Sequence, residues 1–209
     1  KPENVSVVGY IAPYLNDPFH AEVVSELGRQ SRERGCGLLV AEGGISSESL
    51  SLAVNHLIGS GANGLLVSVM PEQVATQLVD RSIVYCGGVP EIEADKVTVD
   101  SVAGTFDLMD HLYGLGVRRF GYAFGEKTAM NNNVRYKAFR QYLDEKNLES
   151  RPSWHQSSLI PGEDGGRVCF ENFMRQGGLP DAILCYNDWT AFGLMRAARE
   201  AGLKIPEQL

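Results

Sequence analysis

Ala182-Ile-Leu-Cys-Tyr-Asn-Asp-Trp-Thr-Ala-Phe-Gly-Leu-Met-Arg-Ala-Ala-Arg-Glu-Ala-Gly-Leu-Lys-Ile-Pro206-Glu207 reads as a strand, a polar elbow and a helix in immediate succession. The apolar run Ile183 to Tyr186 fits a buried strand. Ala191, Leu194, Met195 and Ala198 then recur at the 3.6-residue spacing of a helix. Gly202 stops that helix, and Pro206 lies just beyond. Asn187 and Asp188 sit at the carboxyl end of the strand, the edge at which open α/β sheets hold their ligands. Asn187 is the expected ligand contact. Asp188 is the expected cap of the helix behind it.

The same alternation runs through the chain. Strand Ser6 to Ile11 precedes a helix from Pro18 to Arg34, with Asp17 as cap, Pro18 in the first position, and Phe19, Val23 and Leu27 on one face. Strand Gly37 to Ala41 leads to a helix entered through Ser46 or Ser47 and marked by Leu50, Ala53, Val54, Leu57 and Ile58. Strand Leu65 to Val69, a helix opened by Pro71, and strand Ile83 to Cys86 complete a first series. A short extended piece, Lys96 to Val99, leads into a second. Its helices are Val102 to Leu115, Asn133 to Lys146, Asp164 to Arg175 and Asp188 to Ala201. Its strands are Arg119 to Phe124, His155 to Leu159 and Ala182 to Tyr186. Strands separated by helices of this length need crossover connections, and those produce parallel sheets. The expected fold is α/β, with two Rossmann-like lobes, 1–101 and 102–209. Each has a parallel sheet flanked by helices, and a ligand cleft lies between the lobes.

Composition narrows the function. The chain has 209 residues, 44% of them hydrophobic, enough for substantial cores. Nineteen Lys and Arg against 26 Asp and Glu give a net charge of −7, which lacks the basic footprint of a nucleic-acid surface. No apolar run reaches the length needed to cross a bilayer, and Lys1-Pro-Glu-Asn4 carries no signal-peptide pattern. A cytoplasmic location is expected. Cys36, Cys86, Cys169 and Cys185 form no C-x-x-C pair and read as reduced thiols. His20, His56, His111 and His155 make no H-x-x-x-H helix face, so no metal is expected. Gly59-Ser-Gly-Ala-Asn-Gly64 matches G-x-G-x-x-G, but it follows a helix and precedes a strand. That is the reverse of what pyrophosphate binding needs, and the glycines read as a helix stop and tight turn. With no G-x-S-x-G elbow and no carboxylate pair suited to acid–base work, neither a cofactor nor an enzymatic activity is expected.

Three further places can meet a ligand. In the turn Asn16-Asp-Pro-Phe-His20, Asn16 offers an amide and Phe19 or His20 an aromatic face. Arg135 lies in the first turn of its helix, where a cation opposes the dipole and an anionic or planar partner would offset the cost. Asp100 ends an extended piece, where it can either cap the following helix or accept ligand hydroxyls.

Five segments, in order, resemble the LacI/GalR family of bacterial repressors. Val7-Val-Gly-Tyr-Ile-Ala-Pro13 with Asn16-Asp-Pro-Phe19 is similar to that family's first strand and "N-P-F-F" turn. Gly61-Ala-Asn-Gly-Leu-Leu66 is similar to "v-D-G-i-I". Val99-Asp-Ser-Val-Ala-Gly104 resembles "v-x-x-D-n-x-x-G". His111-Leu-Tyr-Gly-Leu-Gly-Val-Arg-Arg-Phe-Gly121 resembles "h-L-x-x-l-G-h-r-r-I-g", and Arg135-Tyr-Lys-Ala-Phe139 resembles "R-x-x-G-f". The opening stretch resembles "n-D-x-x-A-x-G" running on to "P-E".

The resemblance implies a periplasmic-binding-protein-like fold of type I, a small effector such as a sugar or related polar metabolite, and a homodimer. Operator DNA would be met only through a headpiece outside these residues, and the family's last strands would follow Glu207. It carries over Asn16, Phe19, His20, Asp100, Arg135 and Asn187 as effector contacts. The chain departs from the pattern at His20, where the family has a second Phe, which implies a more polar or pH-responsive pocket. It departs again at Ala138, and at Arg81-Ser-Ile-Val-Tyr-Cys-Gly-Gly88, which is shorter than the family segment. A periplasmic solute-binding protein of a transporter is the alternative on the same fold, and an enzyme on a Rossmann-like fold the third.

Overall fold

The computed structural model describes residues 6–69, 82–88, 95–124, 133–176 and 178–209. The helix expected from Pro71 lies outside them. The chain forms two compact units, Lys1–Val99 and Asp100–Leu209.

The first unit is built on a parallel sheet with the order β2-β1-β3-β4-β5. Its strands are β1 (Val7–Ala12), β2 (Gly37–Glu42), β3 (Gly64–Val69), β4 (Ile83–Gly88) and β5 (Lys96–Val97). Helix α1 (Pro18–Glu33) starts where Asp17 accepts a hydrogen bond from Phe19 N at 2.9 Å. Helix α2 (Ser47–Gly59) starts where Ser46 Oγ accepts from Ser49 N at 3.1 Å. Both caps satisfy donors that the first helical turn leaves without partners. Leu50, Ala53, Val54 and Leu57 of α2 pack on Ile11, Leu65, Val67, Ile83 and Tyr85 of the sheet as one core. On α1, Val23 and Leu27 are half-buried, whereas Phe19, expected on the same face, is 64% exposed. The buried side chain of that first turn is instead His20.

The second unit has a parallel sheet with the order β7-β6-β8: β6 (Phe120–Phe124), β7 (His155–Ser157) and β8 (Ala182–Cys185). Central strand β6 is buried at every residue. Successive side chains point to opposite faces of a strand, so β6 serves two cores at once. Phe120, Tyr122 and Phe124 pack with Met109 of α3 (Ser101–Gly114) and with Phe139, Tyr142 and Leu143 of α4 (Val134–Glu145). Ala123 packs with Cys169, Phe170 and Phe173 of α5 (Gly162–Arg175) and with Leu194, Ala197 and Ala198 of α6 (Asp188–Glu200).

Glycines set the approach of α5 to α6. A Cβ on Gly193 would lie 1.9 Å from the Glu163 carbonyl oxygen, and one on Gly166 would lie 2.1 Å from that of Thr190. The two backbones therefore touch where a side chain would hold them apart. Arg196 pairs with Glu163 at 2.6 Å, and Arg167 with Glu200 at 2.7 Å. The helix starts two residues before the expected Asp164, at Gly162. There φ is +72° and the Trp189 ring leaves no room for a Cβ. Strand β7 ends at Ser157, short of the expected Leu159, which is 82% exposed with no core to bury it. Likewise β5 stops at Val97, and β4 continues to Gly88. Among the described residues no helix is long and apolar enough to cross a membrane.

Candidate functional site

In the first unit the candidate residues gather after β1. Asn16 and Phe19 are exposed, and the Phe19 ring meets the His20 ring edge-on at 5.1 Å. His20 itself turns inward: it is 6% exposed, and its Nδ1 lies 2.9 Å from the Tyr10 hydroxyl of β1. Burial raises the Tyr10 pKa, and the buried side chain of Ser68 on β3 pulls it the other way. Burial lowers the His20 pKa from its ordinary value, and the Asp17 carboxylate opposes that shift. The turn is also tied from β2, where Glu42 Oε2 accepts from Leu15 N at 2.9 Å and Gly43 N donates to Ala12 O at 2.8 Å. This turn thus presents Phe19 and Asn16 outward over a polar chain that runs into the unit.

In the second unit Arg135 reaches the carbonyl of Tyr186, the residue before Asn187, just past the carboxyl end of β8. Asn133 caps α4, accepting from Arg135 N at 2.9 Å and Tyr136 N at 3.2 Å. Arg135 is the second residue of that helix, where its charge faces the positive end of the dipole. Its guanidinium reaches out of the turn and donates from Nη1 to the Tyr186 carbonyl at 2.8 Å, with the Tyr186 ring centroid 5.7 Å away. Among the described residues that bond engages one of five guanidinium donors, and the exposed fork has donors left for an anionic or polar group.

Asn187 follows directly, and here one expectation is corrected. The cap of α6 is Asn187, whose Oδ1 accepts from Thr190 N at 2.9 Å; Asp188 is the first residue inside the helix. Both residue types cap well, and the extended backbone at Asn187 (φ −152°, ψ 172°) decides between them. For Asp100, one of the two open readings is realised: Oδ1 caps α3 by accepting from Ala103 N at 2.9 Å.

Reading the sequence missed the groups behind these residues. Tyr10 and Ser68 sit in strands that look purely structural. Tyr122, in the middle of β6, has a buried hydroxyl with no hydrogen-bond partner among the described residues. Burial pushes its pKa up, and Arg135 pulls it the other way. Burial also pushes the Cys169 thiol up to about 11 and the Cys185 thiol up to about 12, so neither supplies a thiolate at neutral pH. Among the described residues no cluster of three His, Cys, Asp or Glu side chains is arranged to hold a metal ion.

Residues 109–209 match the model of the periplasmic binding protein-like domain family. Across nearly its full length the chain is similar to the HTH-type transcriptional repressor PurR of Haemophilus influenzae. Identity is 26% over 207 residues, covering 97% of this chain and 61% of that protein. The chain is also similar to the ribose operon repressor of Haemophilus influenzae, 24% identical over 213 residues, covering 100% of this chain and 64% of the repressor. The chain thus spans less than two thirds of the length of these curated relatives. Among solved structures, the Lac repressor bound to ONPG superimposes with a TM-score of 0.85 at 19% identity, covering 100% of this chain and 64% of that one. That likeness shows the fold: parallel sheets flanked by helices. The span matched by the family model includes Arg135 and Asn187 and begins after Asn16, Phe19, His20 and Asp100.

Proposed function

We propose that this chain is the effector-binding and dimerisation part of a bacterial LacI-type transcriptional repressor. A small polar metabolite, a sugar or a related compound, is the ligand. The Arg135 guanidinium on the carbonyl of Tyr186, the residue before Asn187, carries the reading, because a cationic fork and an amide near a strand end suit a small polar ligand. Within the first unit, exposed Asn16 and Phe19 offer an amide and an aromatic face of the kind that suits such a ligand. The effector favours one conformation of the protein over another, and that difference in affinity shifts the DNA-binding state of a homodimer. Operator contact belongs to a headpiece outside these residues, in keeping with a chain of net charge −7. On this reading the protein works in the cytoplasm, needs no cofactor or metal, and turns nothing over.

The test is a thermal-shift screen of monosaccharides, disaccharides, sugar phosphates and nucleosides, since a ligand that binds only the folded state raises Tm by mass action. Arg135→Ala and Asn187→Asp are then compared with the parent by calorimetry on any hit. The Asp variant keeps the capping oxygen and removes the amide donor. Each should weaken binding by about 1–3 kcal/mol, the loss expected for a hydrogen bond to a charge or to a buried polar group. Unchanged affinity in both variants would refute the site.

A further inference from the structure

Gly59-Ser-Gly-Ala-Asn-Gly64, in the wrong order for a pyrophosphate, ends in the one Asn-Gly pair of the sequence. Asn-Gly is the dipeptide most open to self-modification. The side-chain amide carbon is one ring closure from the next backbone nitrogen, and glycine puts no side chain in the way. The fold favours glycine there. Gly64 opens β3 in register with Val8 of β1, and a Cβ on it would sit 3.3 Å from the Ser82 carbonyl oxygen.

Asn63 is exposed, yet it is tied to β1 twice. Its backbone N donates to the Val7 carbonyl at 2.8 Å, and its Oδ1 accepts from Val7 N at 2.8 Å. The turn before it is fixed as well, with Gly61 N donating to Ile58 O and Ala62 N to Leu57 O, each at 3.0 Å. Ring closure needs a different arrangement, in which Asn63 Cγ turns onto Gly64 N. In the folded chain both partners are held elsewhere, the amide by Val7 and the nitrogen by its place in β3.

We propose that Asn63–Gly64 is a modification site that folding keeps shut, so that its conversion records time spent with β1 undocked. In the open chain Gly64 N attacks Asn63 Cγ. The new C–N bond closes a succinimide, and the amide nitrogen leaves as ammonia with the proton that Gly64 N gives up. Water then opens the ring. Cleavage of the new Cγ–N bond gives aspartate. Cleavage of the original C–N bond gives isoaspartate, whose main chain runs through Cβ and Cγ and is one atom longer. Either product adds a negative charge to a chain already at −7. Aspartate keeps an oxygen for Val7 N, now as a charge-assisted bond. Isoaspartate cannot keep both the Val7 bonds and the Gly64–Val8 register, because the added atom lies between the two attachments.

The experiment incubates the whole chain in mildly alkaline buffer, native in one arm and in concentrated guanidinium chloride in the other. Peptide mapping by mass spectrometry follows residue 63, with aspartate and isoaspartate resolved by chromatography. In the denatured arm Asn63 should convert faster than Asn55 or Asn172, and a rate no faster than theirs overturns the site. In the native arm conversion should be slower by at least about tenfold, as for any reaction that waits on an opening, and equal rates overturn the gate. When denaturant is removed, the refolded fraction should be depleted of isoaspartate relative to aspartate; an unchanged ratio overturns the part played by register. Asn63→Asp should unfold in urea at a midpoint no lower than the parent's, and Asn63→Ala at a lower one. A midpoint for Asn63→Asp as low as that of Asn63→Ala overturns the Val7 clamp on which the gate depends.

Discussion

Two glycine-to-alanine changes in the second unit should have opposite signs. Gly104 lies in α3, and a Cβ there would meet no atom within 4 Å. Gly193 lies in α6, where the same Cβ would sit 1.9 Å from the Glu163 carbonyl oxygen. Alanine in an open helix interior gains about 0.5–1 kcal/mol over glycine by restricting the unfolded chain. At Gly193 that gain is outweighed. The nearest ordinary approach of a Cβ to a backbone oxygen is above 3 Å, so α5 and α6 must separate by more than 1 Å along that contact. Separation also disturbs Phe170, Phe173, Leu194 and Ala198 between the helices and the sheet. Overpacking of this kind costs about 1–3 kcal/mol, and an unyielding backbone contact puts Gly193→Ala toward the upper end. The two variants should therefore differ by about 2–3 kcal/mol. At about 2–4 °C per kcal/mol for a chain of this size, that separates their Tm values by roughly 4–12 °C. Both tryptophans, Trp154 and Trp189, lie in the second unit, so fluorescence-monitored thermal and urea unfolding reports on the unit being tested. If Gly193→Ala is as stable as Gly104→Ala, the close approach of α5 to α6 is wrong.

Two other variants test buried groups of the same unit. His155 accepts or donates to Tyr136 through Nδ1 and to Ser150 through Nε2, each at 2.9 Å, and burial with help from Arg140 lowers its pKa to about 4. The unfolded chain binds this proton near 6.5, so stability contributed by neutral His155 is complete above that pH and is lost as pH falls toward 4. The loss should be about 1–2 kcal/mol after allowance for the solvent the ring still meets. The urea midpoint of the parent should thus fall more between pH 7 and about pH 4.5 than that of His155→Gln, and equal slopes would count against the shift. Tyr122→Phe removes a buried hydroxyl that no described group satisfies while keeping the ring among Phe124, Tyr136 and Phe139. It should be neutral or stabilise by up to about 1 kcal/mol in urea unfolding, and a marked loss would reveal a partner for that hydroxyl.

The parallel sheets were legible because each strand is a short apolar run and each crossover a helix with its own cap, as Asp17 and Ser46 show. What stayed hidden depends on residues far apart in sequence that fold side by side. Tyr10 and His20 look like an ordinary strand residue and a turn residue until the helix lies back on the sheet. Gly162, Gly166 and Gly193 look like weak points in two helices, since nothing local says that the backbones will touch. The choice of Asn187 over Asp188 as cap turned on where the extended backbone ends, a boundary of one residue that composition does not mark. Arg135 was singled out for a local reason, its unfavourable place in the dipole. The acceptor it meets, Tyr186 O, lies just past β8, 51 residues away in sequence.

The amide of Asn187 has a handedness of its own. Because Oδ1 is committed to Thr190 N, the group cannot rotate end for end without uncapping α6, so its orientation is set by the helix and not by whatever approaches it. The outer end is therefore always N–H. Any group bonded there must bring a lone pair, and one that offers only hydrogens is turned away. On the effector reading proposed above, a helix cap that uses one oxygen would make the other half of the side chain a polarity filter, favouring a carbonyl or ether edge over an ammonium.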